Sequence, residues 1–395
     1  MAMPILPGHP VSRTVGFILL ALLAMTAEGA GGVPATAGGV LRICPAPGAG
    51  CDATSLPEGL GRAATGSLVT IAPGTYREAG IVAADGVTLR ADPGARLVGV
   101  AAEGKAALVI RGDDTVIEGL ECSEIAVPDG NGACIRLEGR NLTVRHVHFH
   151  DAEEGILIAD TGGTVIIEDS RFERLGASGR AHGVYANHIE ALIIRRSCFL
   201  SSTDQGHEVK SRAARTVIED SLIASFNGVD SRLIDLPNGG DLVVRDSILV
   251  KGPRSSSRDV IGFGLEGIGH PVNGVRLENT VIIIDHPRAR LINGEVPTIL
   301  SGVQMIGGDP REAGAAPWPS HGGEVVSLAE CLRDTGSPRS AGLGRGGRVI
   351  PEHGQQADGP AGERSAVIDH GPVDNEANGK IAKSIVNPVH DEALR

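Results

Sequence analysis

Aromatic residues are scarce in this chain: one Trp, two Tyr and six Phe stand among 395 residues. A wide globular core of this length would draw on many more large rings, so a conventional single-core enzyme is disfavoured. Lysine is nearly as rare, with only Lys105, Lys210, Lys251, Lys380 and Lys383. The formal net charge is −12. Without a basic surface to neutralise phosphates, a nucleic-acid partner is excluded. The most apolar run, residues 15–25, falls short of the ~20 residues that cross a bilayer.

Glycine is abundant, with 56 residues, and an ordinary apolar share of 41% falls mainly to Val, Ile, Leu and Ala. That mixture suits many short strands joined by tight turns. Arg13, the apolar run 15–25 and the small residues Ala27, Gly29 and Ala30 read as a signal peptide over residues 1–30. The mature chain is then expected to be exported, to the periplasm or outside the cell, with no transmembrane segment. Six cysteines in an exported chain permit disulfides. Cys44 with Cys51 and Cys122 with Cys134 are the local pairs, whereas Cys198 and Cys331 have no obvious mate; connectivity stays open.

A strand ending in one charged residue recurs at Arg90, Glu118, Arg145, Glu168, Arg195, Glu219, Arg245 and Glu278, at spacings from 23 to 33 residues. A drifting period with constant strands fits a three-sided coil with variable loops, and helical spacing is missing. Registering the repeats aligns Ser170, Ser197, Ser221 and Ser247 in one column and Phe149, Phe172 and Phe199 in another. On successive coils ~4.8 Å apart these columns would stack as internal ladders. The expected fold is all-β: a single right-handed parallel β-helix solenoid of about 8–10 coils. Residues 31–80 are expected to form an N-terminal cap, with a short helix over 52–64, and the first coil. Residues 81–300 continue the solenoid, with a Gly/Pro-rich, poorly ordered tail over 301–395 and one packed element near 325–332.

The opening S-L-V-T-I-A-P-G-T-Y at 67–76, followed by V-T-L-R-A-D-P-G, resembles the first coils of the pectate-lyase-like β-helix superfamily. The resemblance covers residues 40–300. It implies the fold but no single reaction, because that superfamily holds lyases, hydrolases, epimerases and adhesins.

Four consecutive segments carry the candidate chemistry: G-I-L-I-A-D at 155–160, G-V-Y-A-N-H at 183–188, E-V-K-S-R at 208–212 and R-L-I-D-L at 232–236. If Ile156, Val184, Val209 and Leu233 face the core, alternation sends Tyr185, Asn187, Glu208, Lys210, Arg212, Arg232 and Ile234 outward. His182 and His207 stand at the strand entrances, and Asp235 and Asn238 follow Arg232. Such a face suits an acidic sugar. Eliminative cleavage of a uronate needs the carboxylate neutralised, a base for the adjacent proton and a proton for the departing oxygen. Arg supplies a permanent planar charge. Lys can act as base once its pKa falls below ~10.4, and flanking Arg212 and Arg232 push it that way while Glu208 opposes them.

V-K-S at residues 209–211, with Arg232 one coil later, is similar to the alginate and chondroitin-B lyases of this fold. That similarity implies Lys210 as base and Arg232 as its acid or carboxylate partner. The sequence departs from the pattern in carrying L-I-D-L-P-N-G-G after Arg232 in place of Arg-His-Gly. It also shows no clear acidic pair for calcium, so the cofactor stays open, with calcium one candidate. G-H-E-V-K-S-R-A followed by L-I-D-L-P-N-G-G also resembles a group of exported bacterial β-helix repeat proteins. The expected partner is an acidic poly- or oligosaccharide, bound by Tyr185, Asn187, His182, His207, Glu208, Arg212, Asp235 and Asn238. The competing reading is a non-catalytic polysaccharide-binding or envelope protein, with the same charges forming a solvated ion-pair ladder. His146, His148 and His150 alternate like metal ligands, but Val147 and Phe149 belong to the core columns, so these histidines fill the surface register.

Overall fold

The structure is a computed structural model and describes residues 38–307 together with Cys331. The expected signal peptide and nearly all of the expected tail lie outside the described residues. Those described form about ten coils of a parallel β-solenoid with almost no helix. Each coil delivers one strand of three to five residues to each of three parallel sheets, of eleven, nine and ten strands. The first sheet starts at Val40–Ile43 and the third ends at Gln304–Gly307.

The repeating charged residues end the strands of the first sheet and pair in register from Arg90↔Glu118 to Arg245↔Glu278. Their signs alternate, so each guanidinium finds carboxylates on neighbouring rungs. Arg90 lies 2.8 Å from Glu118, Arg145 3.1 Å from Glu168 and Arg195 3.0 Å from Glu219. This ladder sets register by penalising any slip that opposes like charges. The serine column turns the next corner. Ser170 Oγ accepts from Val147 N, and Ser197, Ser221 and Ser247 Oγ accept from the N–H of the preceding serine. Each of the four hydroxyls also donates to the carbonyl two residues before it. A backbone donor that the corner would leave unpaired is therefore satisfied inside the fold.

Inside run the rings expected to stack. Phe172 meets Phe199 face to face at 4.4 Å and Phe149 edge-on at 5.4 Å. Two glycines belong to this packing. A Cβ on Gly155 would lie 2.8 Å from Phe172 Cδ1, and one on Gly183 3.0 Å from Phe199 Cδ1. Phe172→Ala would open a void between the Phe149 and Phe199 rings, beside Gly155. We expect a loss of about 3–5 kcal/mol in denaturant unfolding.

The cap helix is shorter than expected, Leu56–Gly61, with Ser55 accepting from Glu58 N as its N-cap. Leu56 and Leu60 lie against the strand Gly80–Val82, closing the end of the core. All six cysteines are paired: Cys44–Cys51, Cys122–Cys134 and Cys198–Cys331. The last pair corrects the view that these two lacked a mate. Cys198 leaves the outer side of the third sheet, where Leu200, Leu222, Ala224 and Val250 form an apolar patch that Cys331 joins. A sequence separation of 133 between the two cysteines hides the pairing from any local reading. Three disulfides suit an oxidising compartment. No helix among the described residues is long and apolar enough to cross a membrane.

Candidate functional site

The second sheet brings the candidate residues together. Register pairs Leu157 with Tyr185, Tyr185 with Lys210, and Lys210 with Asp235, giving one outward column over four coils. A parallel outward column holds Glu154, His182, His207 and Arg232. Successive N–H groups mark these coils as equivalent: Gly155 N donates to His182 O, Gly183 N to His207 O and Glu208 N to Arg232 O.

Those bonds also explain a correction. Glu208 occupies the slot of Gly155 and Gly183, where the chain lies over the phenylalanine stack and two successive residues face inward. Strict alternation fails there, and Glu208 enters the core instead of the outer face. Its carboxylate oxygens accept from Ser202 N and Ser202 Oγ, both at 2.7 Å. Beside it lie two more buried charges, Lys251 and Asp230, 3.5 Å apart. The lysine also donates to Ser231 O and Ser255 Oγ. Burial pushes the Glu208 carboxyl well above the usual range, and the Asp230 charge adds to that; Ser202 and Lys251 oppose it. Ile234 is likewise inward, paired with Val209, so Asp235 takes the outward place beside Lys210.

A pH test follows from the raised Glu208 pKa. The cost is absent below the unfolded carboxyl pKa, grows as pH rises from there toward the raised folded value, levels off above it, and is removed by a neutral isostere. Glu208→Gln is therefore expected to raise Tm near pH 7.5 and leave it unchanged near about pH 4. A gain of equal size at both pH values would refute the assignment.

Lys210 is half-buried with its Nζ 4.8 Å from the Tyr185 ring centroid. Among the described residues no hydrogen bond or ion pair engages that amine. Burial lowers its pKa most, and Arg212 lowers it further, while Asp235, Glu266 and Glu154 raise it. Desolvation thus does the work that sequence reasoning assigned to flanking arginines.

Both arginines are already held. Arg212 Nε donates to Tyr185 Oη at 2.8 Å, while its other nitrogens reach Asn238 Oδ1 and, at 2.6 Å, Glu266. Arg232 Nη1 lies 3.3 Å from Asp235 and its Nε 3.5 Å from Asp259. Asn187 Nδ2 is spent on Ile158 O at 2.8 Å. Asn238 also donates to Gly267 O, which ties the loop carrying Glu266 to the site.

The two histidines act as a relay of orientation. His182 Nδ1 accepts from His207 N and His207 Nδ1 from Arg232 N, both at 3.0 Å, and the rings stack at 4.8 Å. Burial first, then neighbouring positive charge, keeps both pKa values well below the usual histidine range. Each neutral ring therefore carries its proton on Nε2. That of His207 lies 3.5 Å from Asp235.

Sequence reasoning missed Glu154. It is fully buried, neither carboxyl oxygen has a hydrogen-bond partner among the described residues, and it lines a cavity of about 280 Å³ with Asn131, Leu157, Arg180, Tyr185 and Lys210. A larger hollow of about 410 Å³ holds Asp151, Glu153 and Arg174. There Arg174 clasps Asp151 at 2.7 and 2.8 Å, and Glu153 accepts from Val127 and Gly132 N–H. These three side chains are already paired, with one another or with backbone N–H groups; the Glu154 carboxyl and Lys210 amine of the smaller cavity are not, among the described residues. The only sequence signal for Glu154 was its place directly before Gly155, in the doublet read as a turn.

No group of three or more His, Cys, Asp or Glu side chains that could hold a metal ion occurs among the described residues. His148 bonds Glu173 at 3.1 Å and His150 bonds Asp151 at 2.7 Å, as members of a surface ion-pair row.

The fold and this groove define a parallel β-helix carrying titratable side chains on the outside of one sheet. Among solved structures, the chain is similar to an alginate lyase from Paenibacillus sp. str. FPU-7, at 18% identity and TM-score 0.46, covering 68% of this chain and 95% of that one. It is also similar to the pectin methylesterase from Aspergillus niger, at 11% identity and TM-score 0.42, covering 73% and 92%. No family model matches the chain, and a search of curated proteins gives no match.

Proposed function

We propose that this chain is an exported carbohydrate-active protein that binds an acidic polysaccharide along the second sheet and removes the proton next to a uronate carboxylate. Lys210 is the base and Arg232 its partner. The observation that carries this is Lys210 itself: a half-buried amine without a hydrogen-bonding partner among the described residues, over an aromatic ring and open to a cavity. Burial raises the neutral fraction that a base requires. The amine takes the C5 proton; the electron pair forms the C4–C5 double bond and expels the C4 oxygen, which must then be protonated. Because Arg212 donates to the Tyr185 oxygen, the phenol O–H is free to give that proton. Arg232, fixed by two aspartates, sits where its charge would steady the carboxylate. Return of a proton to the opposite face of C5 would give epimerisation instead.

The test is incubation of purified protein with alginate, polygalacturonate and glycosaminoglycans, with and without calcium. Elimination appears as ultraviolet absorbance of the unsaturated uronate, and epimerisation as C5 deuterium uptake in heavy water by NMR. Silence in both channels on every polymer sinks the catalytic reading. A binding-only role is favoured by one observation, the pairing of Arg212 and Arg232 with carboxylates, which leaves less free positive charge for a transition state. It predicts affinity for the same polymers without product.

A further inference from the structure

We propose that the Glu154 carboxyl is a hydrogen-bond donor to the acidic group of a bound sugar, forming with Lys210 and Arg180 a subsite for one uronate carboxylate. This deepens the preceding reading and rests on it. A buried side chain that makes no bond in the fold holds unused capacity, and native proteins keep such groups rarely and for a reason. Among the described residues Glu154 has no partner on either oxygen; it is fully buried and borders the cavity that Lys210 and Tyr185 share.

The other polar groups of that cavity point to the same ligand. Among the described residues, no side-chain hydrogen bond or ion pair engages Arg180 at the exposed rim, Asn131, or the Lys210 amine. The Arg180 cation, the Asn131 amide and the Lys210 amine meet there with Leu157 and the Tyr185 ring. That combination suits a carboxylate attached to a sugar face. An ionised Glu154 would repel such a ligand; a protonated one donates to it. The charged groups acting on Glu154 are Arg136 and Lys210, which favour ionisation, and Glu153, which opposes it. Burial outweighs them and holds the carboxyl well above its usual range. The buried His182, whose Nε2 also lacks a partner, occupies the next coil as a neutral ring and adds no charge.

The fold gains nothing from this acid and bears its desolvation, a pattern expected of a functional group and not of a structural one. Glu154→Gln keeps a neutral donor, whereas Glu154→Leu removes all polarity. Affinity (Kd, or KM where the sugar is turned over) is measured with tetramannuronate and tetragalacturonate, each as free acid and as methyl ester.

For the free acid, Gln is expected to stay within about threefold of wild type and Leu to weaken affinity by about tenfold or more. The esters should bind both variants alike. Both substitutions should raise Tm near about pH 7.5, where the buried acid resists ionisation, with little gain near about pH 4. If the free acids bind and Leu equals wild type, this assignment alone falls. A Tm lowered at neutral pH by both variants would make Glu154 a structural group and overturn it too. If wild type binds none of the sugars, the broader reading fails and takes this one with it.

Discussion

Lys210→Arg is expected to lower the rate of uronate proton abstraction by about 10²–10⁴-fold, the range a positioned general base contributes. The substitution preserves the positive charge over Tyr185 and so should leave sugar affinity nearly intact. Arginine cannot give up its proton in this pH range, so the loss isolates base chemistry from charge. Lys210→Met should lose both rate and affinity. In wild type the amine acts only when neutral, so kcat/KM should rise with pH along a limb placed below the ordinary lysine value, since burial lowers this pKa. A variant that keeps the charge yet retains wild-type turnover would remove Lys210 from the base role. A wild type that binds but never turns over, with Lys210→Arg indistinguishable from it, would select the binding-only reading.

Much of the architecture was legible because the solenoid repeats its physics. The alternating Arg and Glu at the ends of the first-sheet strands, the serine corner and the phenylalanine stack each recur at one register. Periodic signals of that kind survive variation in the loops. The candidate site was legible only in part. Lys210, Tyr185, Asp235 and Arg232 come together as neighbouring outward positions. Alternation misplaced Glu208 and Ile234, because the bend over Gly155 and Gly183 turns two successive residues inward and nothing in a two-residue period announces it. Glu154 escaped notice for the same reason: the bend that puts Glu208 inside puts Glu154 outside. Long-range facts were the least accessible. The Cys198–Cys331 bridge and the Glu266 clamp on Arg212 depend on loops that leave no periodic trace.

Lys251→Met should damage the fold as severely as the loss of a core ring, costing about 3–5 kcal/mol, the range for breaking a buried ion pair from one side. The methionine fills the space of the lysine stem but leaves Asp230 facing Glu208 without a cation, in a core where water cannot substitute. Among the described residues Asp230 Oδ1 has no hydrogen-bond partner, so the support that remains is the Ser225 hydroxyl at 2.8 Å and the Ser255 hydroxyl. Adding Asp230→Leu should recover most of the loss, because removing both charges also removes both desolvation costs. Denaturant unfolding of the single and double variants measures the difference, and a single variant within about 1 kcal/mol of wild type would show that the ion pair carries no net weight. The comparison with Lys210 is informative because Glu208 and Lys210 stand two positions apart in the chain, on either side of Val209, one inward and one outward. Lys251→Met strikes the inner side of that rung and should lower stability; Lys210→Arg strikes the outer side and should lower only rate. If the two effects refuse to separate, the rung is a single mechanical unit, and the groove cannot be altered independently of the core beneath it.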